Sequence, residues 1–148
     1  APITLSLLVN SENANRNSVA TLIAEQLRQI GIQVNVVSQS FSQYHASLAS
    51  LNFDLYVAET KLADNMDFSM LLNGGSIGYG AAYSEELANL YRAYLQTGSG
   101  IEALCEQFTR DSPFVPLVFR QGILSYHRAF RTEIVATDKD IFYNIMEW

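Results

Sequence analysis

Cysteine is nearly absent from this chain. Cys105 is the one thiol in 148 residues, so no internal disulfide can staple the fold. Histidine is almost as scarce, with His45 and His127 the pair available. A hydrolase needs a Ser or Cys nucleophile with a His and an acid beside it, and two histidines leave little from which to build one. The chain therefore reads as a non-enzyme. His45 has no Cys, Asp or second His at ligand spacing, so it is expected to be a partly exposed structural residue; no metal and no other cofactor is expected. Basic residues are outnumbered, nine Lys and Arg against fifteen Asp and Glu. The net charge of −6 argues against nucleic acid, whose recognition needs clustered cations. No apolar run is long enough to span a membrane. Internal repeats and low-complexity tracts are missing as well. The chain opens on neither a methionine nor a signal-peptide pattern, so a trimmed sequence is expected, and composition does not reveal its location.

What remains is a globular composition, 49% hydrophobic and 16% charged, at a length that suits one domain over residues 1–148. Its organising stretch is Ile3 to Val37. ITLSLLV is a β-rich apolar run, and IQVNVV alternates Ile32, Val34 and Val36 inward. Between them Val19, Leu22, Ile23, Leu27 and Ile30 recur at helical spacing from Ser18, and Gly31 sits where a left-handed helix cap belongs. Strand, helix and strand in this span predict a right-handed βαβ unit. The loop Asn10 to Asn17 leaves the carboxyl end of the first strand, where open α/β sheets place ligand-contacting groups. It is read either as a solvated capping loop or as a site in which Asn10, Ser11 and Arg16 meet a ligand.

Further along, Ser40 and Gln43 match a capping box ahead of a stripe of Phe41, Tyr44, Leu48 and Leu51. Phe53 to Ala58 reads as a central parallel strand. It runs into the polar segment Glu59 to Asp67, read as a charged turn or a ligand-contacting loop. Phe68 to Leu72 suggests a helical turn. Asn73 to Gly80 carries four glycines and is expected to be a mobile loop; Tyr79 and Tyr83 offer flat apolar contact to a ligand or to the core. It lacks the Lys-Ser/Thr of a phosphate loop, so nucleotide binding is a poor reading. Ser84 caps a helix buried through Leu87, Leu90, Tyr91 and Tyr94. A further helix carries Ile101, Leu104, Cys105 and Phe108, which makes Cys105 a buried structural thiol on this reading. Phe114 to Phe119 is expected to be an edge or crossing strand because of Pro116. A turn follows at residues 120–122, and residues 123–126 are extended. The predicted core is Leu22, Ile23, Leu27, Val34, Val36, Leu55, Val57, Leu104 and Phe108. The fold class is α/β, with a mainly parallel sheet and helices on both faces.

The pieces also resemble a family. A strand, then Asn10-Ser11 and Arg16, then AxLIAEQLRQIGIxV, FDLYVAETKLADN, FVPLVFRQGILSY and FYNIMEW follow the order of the substrate-binding proteins of peptide-type ABC transporters. These are the family 5 extracellular solute-binding proteins. The resemblance implies one periplasmic-binding-protein-like lobe, the C-terminal one, of a two-lobed bacterial receptor. It implies capture of oligopeptides or a related small solute, delivery to the membrane permease of an ABC transporter, and partnership with the missing other lobe. Phe142, Tyr143, Ile145, Met146 and Trp148 would pack against that lobe. The location implied is extracytoplasmic, in the periplasm or as a cell-surface lipoprotein. The ligand-binding candidates are Asn10, Arg16, Glu59, Thr60, Lys61, Asp64, Asn65, Asp67, Tyr79 and Tyr83. In the resembled family, the 59–67 loop lines the cleft, and its acidic member often faces a peptide's amino group. A signalling receiver-like domain, or another small doubly wound unit without a transport role, is the alternative. A receiver wants an acidic pair where Asn10-Ser11 stands and an aspartate where Glu59-Thr60 stands.

Overall fold

In the computed structural model, residues 3–65, 67–120, 123–127, 133–137 and 139–147 are described. Strand β1 (Ile3–Asn10) leads into helix α1 (Ala14–Gln29), strand β2 (Ile32–Gln39), helix α2 (Phe41–Ala49) and the short strand β3 (Leu55–Tyr56). A 3-10 turn at Ser69–Leu71 precedes helices α3 (Glu85–Thr97) and α4 (Ile101–Asp111). The strands form one parallel sheet in the order β2-β1-β3, with Ile3 paired to Ile32 and Leu7 to Leu55. The expected α/β architecture is present.

β1 is therefore the central strand, and the expectation that 53–58 would be central is corrected. The residues of β1 explain its place. Leu7, Leu8 and Val9 are all at 2% exposure or less, which requires cover on both faces. Leu7 and Val9 pack with Ala20 and Ala24 of α1, Val34 of β2 and Val57. Leu8 points the other way, into Tyr44 and Leu48 of α2. Consecutive residues of a strand face opposite sides, so the helices lie on opposite faces of the sheet. Each such leucine contributes roughly 1.5–3 kcal/mol by burial. β3 is short because Asp54 competes for its ladder: its Oδ2 accepts from both the Ser6 amide and the Ser6 hydroxyl at 2.7 Å. Those bonds hold the Asp54 carboxyl below its usual pKa range.

Several local expectations are corrected. α1 starts at Ala14, so Arg16 and Asn17 stand in its first turn and not in a loop. Leu22 is 54% exposed, because α1 approaches the sheet through its alanines and Leu22 lies about 200° round the helix from Ala20. Val36 is 38% exposed on the outer strand β2. Phe41, the first residue of α2, and Leu51, two residues past its end, are also exposed. Cys105 is exposed, about 100° past the buried Leu104. Val34, Val57 and Leu104 are buried, and Ile23, Leu27, Leu55 and Phe108 pack against the buried clusters. The Ser40 hydroxyl donates to Gln43 Oε1 at 3.1 Å instead of closing a capping box on the backbone. Gly31 has φ +86°, as the cap reading requires.

The glycine segment is irregular but tied down. Ile77 donates its amide to the Met70 carbonyl at 3.0 Å, and Asn73 Nδ2 donates to the Ala81 carbonyl at 2.8 Å. Gly78 is needed for close approach, since a Cβ there would run into the Leu72 carbonyl oxygen. α3 and α4 pack through Leu87, Tyr91 and Leu104, with Phe68 and Phe108 against them. Ser84 accepts from the Leu87 amide at 3.2 Å and caps α3 as expected.

The chain divides into two compact units, 1–114 and 115–148. In the second, residues 115–120 form no strand, correcting the strand expected from Phe114 to Phe119; Val115, Val118 and Phe119 are at least 75% exposed. Asn144 is buried, accepting from the Val135 amide and donating to the Glu133 carbonyl, both at 2.9 Å. The turn expected at 120–122 and the packing expected of Trp148 involve positions outside the described residues.

Candidate functional site

All three strands are parallel, so their carboxyl ends share one edge. β1 arrives there on Asn10, β2 on Gln39 and β3 on Tyr56. Asn10 is 6% exposed. Its Oδ1 accepts from the Glu12 amide at 2.9 Å, and its carbonyl accepts from Asn17 Nδ2 at 2.9 Å. Asn13 caps α1 by accepting from the Arg16 amide at 3.0 Å. Asn17 Nδ2 reaches the Asn13 carbonyl at 2.8 Å, and its Oδ1 accepts from the Ser38 hydroxyl at 3.0 Å. One amide side chain thus joins the end of β1, the start of α1 and the end of β2.

The start of α1 presents Arg16 to the segment after β3. Its Nε and Nη2 donate to Glu59 Oε2 at 3.3 and 3.1 Å, with side chains 23% and 36% exposed. Glu12 crosses the same edge in the other direction. Its Oε1 accepts from the amide of Phe41, the first residue of α2, at 3.0 Å. A carboxylate at that position also suits the positive end of the helix dipole.

The rest of the 59–67 segment divides. Thr60 Oγ1 lies 3.5 Å from Met70 Sδ. Lys61 and Asp64 are exposed. Asn65 Oδ1 accepts from the Asp67 amide at 3.1 Å. Asp67 turns back toward α3: its Oδ1 accepts from the Ser69 amide at 2.8 Å and from the Tyr91 hydroxyl at 2.7 Å. Those donors, the Ser69 amide first, hold its carboxyl below the usual range. Tyr79 is half-buried against the Leu8, Tyr44 and Leu48 cluster, and its hydroxyl stands 3.3 Å from His45 Nε2. Tyr83 is 69% exposed. Tyr44, in the same cluster as Tyr79, donates to the Val57 carbonyl at 2.8 Å, and burial pushes its phenol up to about 12.

The edge therefore gathers Asn10, Arg16 and Glu59. It also gathers Glu12 and Asn17, which sequence reasoning did not single out. Among the described residues, no three His, Cys, Asp or Glu side chains gather to hold a metal ion. A parallel sheet with two helix starts and a polar segment at its carboxyl edge is suited to holding a small solute by hydrogen bonds and charge.

Solved structures share this fold. The murein tripeptide-binding protein MppA, a periplasmic protein in its unliganded open form, superposes with a TM-score of 0.65 at 17% identity. The match covers 76% of this chain and 24% of MppA. The fold is periplasmic-binding-protein-like. The nickel ABC transporter from Bacillus halodurans matches with a TM-score of 0.58 at 16% identity, over 76% of this chain and 26% of that one. The chain thus spans about a quarter of the length of each structure. No protein-family profile matches the chain, and no curated protein matches it.

Proposed function

We propose that this chain is a solute-binding lobe, the C-terminal one, of an extracytoplasmic ABC-transporter receptor, and that the receptor captures oligopeptides or a related small solute for a membrane permease. The observation that carries this reading is the convergence of the 10–16 and 57–61 segments at one carboxyl edge, tied by Arg16 and Glu59. The likeness to a periplasmic murein tripeptide-binding protein and to a nickel ABC transporter supports it. On this reading the receptor performs no chemistry. A second lobe of the same protein supplies the facing wall, and closure of the two holds the solute. On this reading an acidic side chain of the 59–67 segment, Asp64 or Asp67, meets a peptide's ammonium. Tyr83 is assigned an apolar contact.

Native mass spectrometry of the natural full-length protein, as purified, tests the proposal. A retained mass matching a short peptide is expected, followed by calorimetric binding of that peptide. A preparation that retains nothing, and gives no heat with di-, tri- or tetrapeptides, overturns it.

A further inference from the structure

Two features of the carboxyl edge attract anions, and both are already filled by the protein. The N-terminus of α2 offers the Phe41 amide and the positive end of a nine-residue helix, and Glu12 Oε1 occupies it at 3.0 Å. The Arg16 guanidinium offers the forked donors that carboxylates prefer, and Glu59 Oε2 occupies it at 3.1 Å. Neither carboxylate comes from the element it serves. Glu12 reaches from the β1–α1 loop to α2, and Glu59 reaches from beyond β3 to α1.

From these contacts we propose that Glu12 and Glu59 are specificity-determining residues: they stand in for a solute's anionic groups, so that the solute end meeting this edge is neutral or cationic. The inference rests on the solute-binding reading above. An anionic group arriving at Arg16 must displace Glu59, exchanging one ion pair for another with no gain, while meeting the repulsion of the carboxylate it leaves nearby. A neutral or ammonium end meets no such competition. Discrimination then comes from a repulsive element built into the site as well as from attraction. The chain's net charge of −6 adds a long-range bias of the same sign.

The test uses the natural full-length protein, with acetate and inorganic phosphate as probes and the Arg16 Nε–H and Phe41 amide resonances as readouts. In the unaltered protein neither resonance should titrate. In Glu59→Ala, acetate should shift the Arg16 signal saturably; in Glu12→Ala, phosphate should shift the Phe41 amide. Should either alanine variant fail to fold, Glu59→Gln and Glu12→Gln decide instead, since glutamine keeps a carbonyl for the same donor and removes the charge. Saturable binding at Arg16 or Phe41 in the unaltered protein, or no gained binding in folded variants, overturns the proposal. A second arm compares Ala-Glu-Ala with Ala-Gln-Ala by calorimetry. The preference for the neutral peptide should shrink by about 10- to 150-fold in Glu59→Ala, the range a charge-assisted hydrogen bond commands. If the unaltered protein binds neither peptide, the peptide reading fails, while the acetate and phosphate titrations still decide this one.

Discussion

The Tyr91 hydroxyl donates to the Asp67 carboxylate and accepts from the Phe68 amide, both at 2.7 Å. One buried phenol on α3 thus fixes the end of the polar segment and the start of the 3-10 turn. Tyr91→Phe is expected to cost about 1–3 kcal/mol, the penalty for leaving polar partners unmatched. A chemical-denaturation midpoint equal to that of the unaltered protein would show that the turn stands without it.

Asp67 also sets an acid limit. Its folded pKa lies below the ordinary 3.8, so it contributes stability that is fully present above about 3.9 and is lost as pH falls through the lower folded value. Asp54 and Asp111 act in the same direction. Acid titration of the folded signal should break below about pH 4. Asp67→Asn should flatten that dependence, and an unaltered slope would remove Asp67 from the account.

At the alkaline end, Tyr44 and Tyr91 have pKa values raised from 10.0 to about 12, in each case first by burial. A raised value means stability that is full below pH 10 and is lost as pH climbs through 12. Tyr44→Phe should lose part of the decline over that window, while also lowering the midpoint at neutral pH through loss of the Val57 bond. Ultraviolet phenolate titration in which Tyr44 ionises near pH 10 would contradict its burial.

Leu8→Ala and Leu7→Ala should each cost about 2–5 kcal/mol. Leu22→Ala should stay within about 0.5 kcal/mol, because the side chain is largely in solvent. Equal losses at Leu22 and Leu7, measured by urea melts, would reverse the assignment of the buried face of α1.

Gly78→Ala must push the Leu72 carbonyl aside. A lower melting temperature is expected, with the loss concentrated in 69–81; backbone shifts confined to residue 78 would mean that the segment yields freely.

The sheet and its two covering helices were legible because their signals are local. Alternation in β2, helical spacing in α1 and Gly31 after it each need only their own neighbours. What was not legible depended on partners distant in sequence. Leu22 fits the helical stripe as well as Ala20 does, yet small residues win the close approach to the sheet. The length of β3 is limited by Asp54 reaching Ser6, a pairing across 48 positions that no periodicity records. At the edge, Arg16 and Glu59 were both singled out, but their pairing was not, since it spans 43 positions. Glu12 and Asn17 carried no motif at all; a polar loop residue and a first-turn asparagine look the same whether they face water or lock three elements together.

Leu7 and Leu8 are neighbours in the chain but members of different cores, one under α1 and the other under α2. The strand that carries them belongs equally to both, so neither helix can detach without stripping cover from β1. The amides of residues 7–9 should accordingly exchange with solvent only when the whole 1–114 unit opens, and damage to one face should be felt as loss of protection on the other.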